Sequence, residues 1–210
     1  MGRDRFVTMG AAVLGVALAL GVALGGCASP AASTSQDAAT STETSEEPTP
    51  APVPKTATVG KVTFEVPDGW TQKRKANDRG NQSCQMQSSG SKTYIAVVAF
   101  IATEDTADVE LAAESYEQSV TGTDTDALWD ETDNLDPASP CGAVTFAGRT
   151  AFHDSGSFDI KGGYHLKGDI ISFGSPEDGG IYTVAVIGSA EDGAFTHATY
   201  QVLLDSLTFA

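Results

Sequence analysis

Val62-Thr63-Phe64-Glu65-Val66-Pro67-Asp68-Gly69-Trp70 opens the part of the chain that is able to fold. Val62, Phe64 and Val66 alternate with Thr63 and Glu65, which is the period of a half-buried strand. Pro67-Asp68-Gly69 then supplies turn chemistry, with the fixed φ of proline and the freedom of glycine. Trp70 follows at once, and a large aromatic in that place closes one end of a core.

Working outward towards the C-terminus, Lys73, Arg74, Lys75 and Arg79 come next. They read as a solvated loop. The sharper alternative is a docking patch for anionic lipid headgroups or wall polymers. Gln82 to Ser88 is predicted as a strand with Cys84 and Met86 on one face. Residues 93–101 are Tyr-, Ile- and Val-rich and almost continuously apolar, the mark of a central strand covered on both sides. Val109, Ala112, Ala113, Tyr116 and Val120 share one helix face, with Asp105, Thr106 and Asp108 as capping candidates. From Cys141 the pattern is strand again. Val144 and Phe146 lead to a bend at Gly148, then Thr150 and Phe152, Phe158 and Ile160, residues 164–173 and residues 181–187. The last helix carries Phe195, Ala198, Thr199, Val202 and Leu203 at i, i+3, i+4, i+7 and i+8. Helix, sheet and helix in this order predict an α+β fold, an antiparallel sheet covered by helices as an α/β/α sandwich. The alternative is a mainly β sandwich with two peripheral helices.

Residues 62–70 are similar to the opening of PsbP-like domains, a family that includes several bacterial envelope lipoproteins. Those domains start with a strand, a proline, a turn with glycine and a tryptophan. The final helix running into Ser206-Leu207 is similar as well. The resemblance spans most of 57–210, and only its two ends are specific. It implies accessory or binding roles, not a shared reaction, and a fold does not determine a function in any case.

Upstream lies a different kind of sequence. Met1-Gly2-Arg3-Asp4-Arg5 is a short positive segment, and Phe6 to Leu24 is mostly Ala, Val, Leu and Gly, the layout of a secretory signal. Leu24-Gly25-Gly26-Cys27 resembles the lipobox of bacterial lipoproteins. The resemblance implies removal of residues 1–26 as a signal peptide, diacylglycerol on the Cys27 sulfur and often acylation of the new amino group. Several acyl chains satisfy the need of a stable anchor for more than one. A plain transmembrane anchor is the alternative, and the glycines and the terminal cysteine favour the lipobox. Both place the remainder outside the cytoplasm. Residues 27–56 form a disordered tether of Ala, Ser, Thr and Pro, stiffened where Pro48, Pro50, Pro52 and Pro54 alternate. Residues 57–210 form one globular domain.

The formal net charge is −16. Arg3, Arg5 and Asp4 give residues 1–26 a net of +1, so a chain starting at Cys27 carries −17. Such a surface repels polyanions, and nucleic acid is excluded as a partner. Three cysteines become an even number once Cys27 is lipidated. Cys84 and Cys141 are then expected to form a disulfide in an oxidising compartment, the alternative being two reduced thiols in the core. No Cys-x-x-Cys and no nearby His supports a metal site, and no cofactor is expected. Ser89-Gly90-Ser91-Lys92 fits an acylating Ser-x-x-Lys pattern but lacks its companion motifs. The acidic run Asp124, Asp126, Asp130, Glu131, Asp133 and Asp136 is interrupted by Leu128 and Trp129, which spoils a calcium loop. His153, His165 and His197 read as surface histidines, His197 on the polar side of the last helix.

The main reading is therefore a lipid-anchored extracytoplasmic lipoprotein whose domain is non-catalytic and binds a partner or assists a complex. Its expected partners are the membrane, through the Cys27 lipid, and an envelope protein or small ligand. A small-molecule or lipid-binding lipoprotein, with a pocket between sheet and helix, is one alternative. A cell-wall hydrolase with a site assembled from distant residues is the other.

Overall fold

A computed structural model describes residues 55–89, 94–121, 130, 135, 140–160 and 164–210. Cys27, residues 28–54 of the tether and the acidic run apart from Asp130 lie outside these residues. Among the described residues no helix is long and apolar enough to cross a membrane.

The strands are β1 (Thr56–Val59), β2 (Val62–Glu65), β3 (Thr71–Ala76), β4 (Gln82–Gln87), β5 (Ile95–Ala102), β6 (Gly142–Phe146), β7 (Arg149–Ile160), β8 (Tyr164–Ser175), β9 (Gly180–Ser189) and β10 (Thr208–Phe209). Helix α1 (Val109–Thr121) follows β5, and helix α2 (Gly193–Ser206) follows β9. Seven strands form one sheet in the order β3-β4-β5-β9-β8-β7-β6, and β1-β2-β10 form a second. Neighbouring strands run antiparallel throughout.

The opening stretch behaves as its alternation requires. Val62, Phe64 and Val66 are buried and Glu65 is exposed. The Trp70 N–H donates to the Pro67 carbonyl across 3.1 Å, closing the turn, and Gly69 takes the positive φ of 76° that the turn needs. Strand β9 is buried from Gly180 to Gly188. Its continuous apolar run lies between β5 and β8 with both faces covered, which is where such runs belong.

One face of the large sheet presents Cys84, Met86, Ala96, Val98, Ile171, Phe173, Tyr182, Val184 and Val186. Packed against it are Ala57, Val59, Val62 and Phe64 of the small sheet, and Tyr200 and Leu203 of α2. The other face meets α1, where Val109, Ala112 and Ala113 contact Ile181, Ile170 and Ala185.

The helix-covered α/β/α sandwich is not what forms. Among the described residues the molecule is mainly β, two sheets with two α-helices, and corresponds to the mainly β alternative. The reason is coverage. A helix shields roughly 10 Å of width, whereas seven strands span about 29 Å. The short strands β1, β2 and β10 close the main core face where α2 does not reach.

Helix α2 also departs from the expected phase. Thr196, Thr199, Tyr200 and Leu203 are its buried residues. Phe195 and Val202 stand 49% and 55% exposed. Tyr200 and Leu203 carry the larger inward volume. The threonines tolerate burial because their hydroxyls donate to backbone carbonyls one turn back, Thr196 to Asp192 at 3.4 Å and Thr199 to Phe195 at 2.9 Å. Phe195 finds a partner at the helix edge, 4.5 Å from the Tyr94 ring.

Candidate functional site

The basic residues do not form a loop. Lys73, Arg74 and Lys75 lie on β3, the outermost strand of the large sheet, and Arg79 lies in the turn joining β3 to β4. The pleat divides them. Arg74 pairs with Cys84 and shares the main core face, whereas Lys73 and Lys75 pair with Gln85 and Ser83 on the opposite face. Lys73, Arg74 and Arg79 are exposed and Lys75 is half-buried.

Cys84 and Cys141 are thiols, and the disulfide expected between them is not formed. Cys84 is fully buried in β4 beside Met86, and its thiol lies 3.5 Å from Gln72 Oε1. Cys141 immediately precedes β6, and its thiol lies 3.5 Å from the Ser155 carbonyl. Strands β5, β9, β8 and β7 separate β4 from β6 in the sheet. A disulfide requires Cα atoms within about 7 Å. Burial pushes the Cys84 thiol pKa up, against the lowering effect of the Arg74 and Lys55 charges nearby.

The structure assembles a polar cluster that the sequence did not announce. His153 on β7, Asp169 on β8, and His197 and Tyr200 on α2 converge between the large sheet and the helix. Asp169 has no exposed surface. One of its oxygens lies 3.0 Å from His197 Nδ1, and the other 3.7 Å from His153 Nε2, too far to hydrogen-bond. His153 Nδ1 lies 3.4 Å from the Pro140 carbonyl. The Tyr200 ring stands 6.1 Å from His153 and 6.3 Å from His197. Asp169 Oδ1 and the Tyr200 hydroxyl are buried without a hydrogen-bond partner. Burial, and then the Asp169 charge, push the Tyr200 phenol well above its ordinary range.

His197 is half-buried, as the polar side of a helix allows, but the turn of α2 that buries Tyr200 sets it against Asp169. His153 is 3% exposed, not a surface residue. His165 does lie at the surface, 2.9 Å from Asp159. The one signal for the cluster was Asp169 itself, an acid inside the apolar run of β8. Among the described residues, no group of three His, Cys, Asp or Glu side chains is arranged to hold a metal. The cluster offers a buried carboxylate, two imidazoles and a phenol, a set suited to orienting a polar group. An open depression of about 410 Å³ lies elsewhere, lined by Ala102, Thr103, Glu104, Thr106, Pro176 and Gly179. It shares no residue with the cluster.

No protein-family model matches the chain, and the PsbP-like resemblance gains no support there. No curated protein matches it. Among solved structures the chain is similar to the crystal structure of LpqN, involved in cell envelope biogenesis of Mycobacterium tuberculosis. That similarity has 14% identity, covers 79% of this chain and 87% of that chain, and has a TM-score of 0.45. A likeness this slight carries no argument about the present chain.

Proposed function

We propose that this chain is an extracytoplasmic lipoprotein, held to the membrane by a lipid on Cys27, whose β domain binds a partner or assists a larger complex without catalysing a reaction. The observation that carries this reading is the order of the N-terminal segments. A positive start, an apolar run, Leu24-Gly25-Gly26-Cys27 and a Pro-, Ser- and Thr-rich stretch precede a domain whose first strand begins at Thr56. Growth with an alkyne fatty acid should label the native chain and leave Cys27→Ala unlabelled. Label that persists in Cys27→Ala overturns the reading. Crosslinking of the native lipoprotein in its own membrane then identifies the partner.

One observation favours a second reading, a small polar ligand held between sheet and α2. Asp169 Oδ1 and the Tyr200 hydroxyl are buried polar atoms without hydrogen-bond partners, and such atoms are costly unless satisfied. A panel of small polar compounds should include one that raises the Tm of the native protein but not of Asp169→Asn. A panel that shifts neither sinks this reading.

A further inference from the structure

Charge in this domain is strongly polarised along the chain. Residues 55–90 carry six Lys and Arg against three Asp and Glu, a net of +3, and residues 91–210 carry four against twenty, a net of −16. The fold sets Lys73, Arg74 and Lys75 on one strand and Arg79 in the turn after it. Strand β3 is the edge of the large sheet, and Arg74 faces Cys84 across from it. Lys55, the first described residue of the domain, accepts the Val66 N–H on its carbonyl at 2.7 Å, five residues before β3 begins.

We infer that the β3 edge, through Lys55, Lys73, Arg74, Lys75 and Arg79, docks on the anionic headgroups of the membrane that holds the chain. This rests on the lipoprotein reading above and names the partner surface. The division of Lys73 and Lys75 from Arg74 by the pleat suits an edge-on approach. Side chains from both faces of one edge strand reach the same plane, their aliphatic stems carrying the charges outward. Salt screens charge over roughly 8 Å, so acidic residues farther than that from the bilayer oppose edge-on docking little. Each basic residue near an anionic bilayer strengthens binding about fivefold. Twenty-eight residues, 27–54, separate the lipid from Lys55. As a flexible coil they span roughly 30 Å, and at full extension about 90 Å. Such a tether holds the domain at an effective concentration on the order of millimolar, so weak docking is enough to be populated.

The test uses the full lipidated protein reconstituted into phosphatidylcholine vesicles and into vesicles with one third phosphatidylglycerol. Lysines are labelled with an amine-reactive ester and quantified by mass spectrometry. Docking slows labelling of Lys55, Lys73 and Lys75 severalfold in the anionic vesicles alone, leaves Lys61 unchanged, and is reversed by high salt. Changing Lys73, Arg74, Lys75 and Arg79 together to Gln removes the remaining protection of Lys55. Equal labelling in both vesicles overturns the inference while leaving the lipid anchor intact. Protection by soluble polyphosphate but not by anionic vesicles also overturns it, and assigns the edge to a wall polymer. If the protein carries no lipid and ignores phosphatidylcholine vesicles, the anchor reading fails by itself. Docking is then read from salt-sensitive sedimentation with the anionic vesicles, which supports the inference when present and overturns it when absent.

Discussion

At the scale of single residues, Gly60 shows why a turn position is unforgiving. It joins β1 to β2 with φ at 57°, and a Cβ added there would collide with the Tyr182 hydroxyl. That hydroxyl accepts the Lys61 N–H at 3.0 Å and donates to Asp178 at 3.0 Å. Asp178 in turn pairs with the Lys61 ammonium at 2.7 Å. Gly60→Ala should therefore destabilise the domain by about 2 kcal/mol or more, combining left-handed backbone strain with displacement of a buried phenol. Denaturant unfolding measures it, and a loss below about 0.5 kcal/mol would contradict this account. The cysteines allow a second prediction at this scale. Alkylation of the denatured, unreduced protein should modify both Cys84 and Cys141. Under native conditions Cys84 should react only as fast as the domain opens, because it is buried and its thiol is held protonated. A mass two units low with neither residue alkylated would restore the disulfide.

At the scale of elements, α2 separates periodicity from packing. Val202 and Leu203 are adjacent, apolar and both on the stripe that the spacing picks out. Val202 is 55% exposed, and Leu203 is buried in the main core. Leu203→Ala should cost about 2–5 kcal/mol, while Val202→Ala should stay within about 0.5 kcal/mol. Similar losses for both would mean that the helix sits in the phase its sequence suggests. Helix α1 raises no such conflict. Val109, Ala112 and Ala113 are buried as their spacing requires, against Ile181, Ile170 and Ala185 of the sheet. Strands such as β2 and β4 were readable for a related reason, whereas the basic strand β3 read as a loop. A period of two survives any packing arrangement in which one face is covered. The clustering of His153 with His197 was not readable, because it joins β7 to a helix whose rotation is set by Tyr200 and Leu203.

At the scale of the whole molecule, buried phenols tie stability to alkaline pH. Tyr182 is pushed up to about 12 by burial, aided by Asp178, and Tyr94 likewise to about 12 by burial and its 2.6 Å hydrogen bond to Asp192. A folded pKa above the unfolded value of about 10 means that the folded state holds the proton more tightly. The resulting stability is complete below pH 10 and is lost as pH rises from 10 towards 12. Circular dichroism should show cooperative unfolding in that interval, with tyrosinate absorbance at 295 nm rising in step. Absorbance from Tyr94 and Tyr182 near pH 10 in a still-folded protein would refute it. Tyr94→Phe should move the midpoint upward, since it removes one group that must ionise.

Composition and local order in the sequence carry the expectation of a signal-like segment and a tether ahead of the domain, and both lie outside the described residues. Hydrophobic period alone was enough for β2, β4, β5, β9 and α1, but not for β1, the basic strand β3 or β10. Only the tertiary structure decided that a second sheet shares the cover of the main core with α2, that α2 turns Tyr200 inward, and that Cys84 and Cys141 lie four strands apart. It also decided that Asp169 lies between two histidines and that the basic residues line one sheet edge. Each of these depends on which elements become neighbours across long stretches of chain. That outcome follows from total coverage, side-chain volume and strand order, quantities that no local pattern contains.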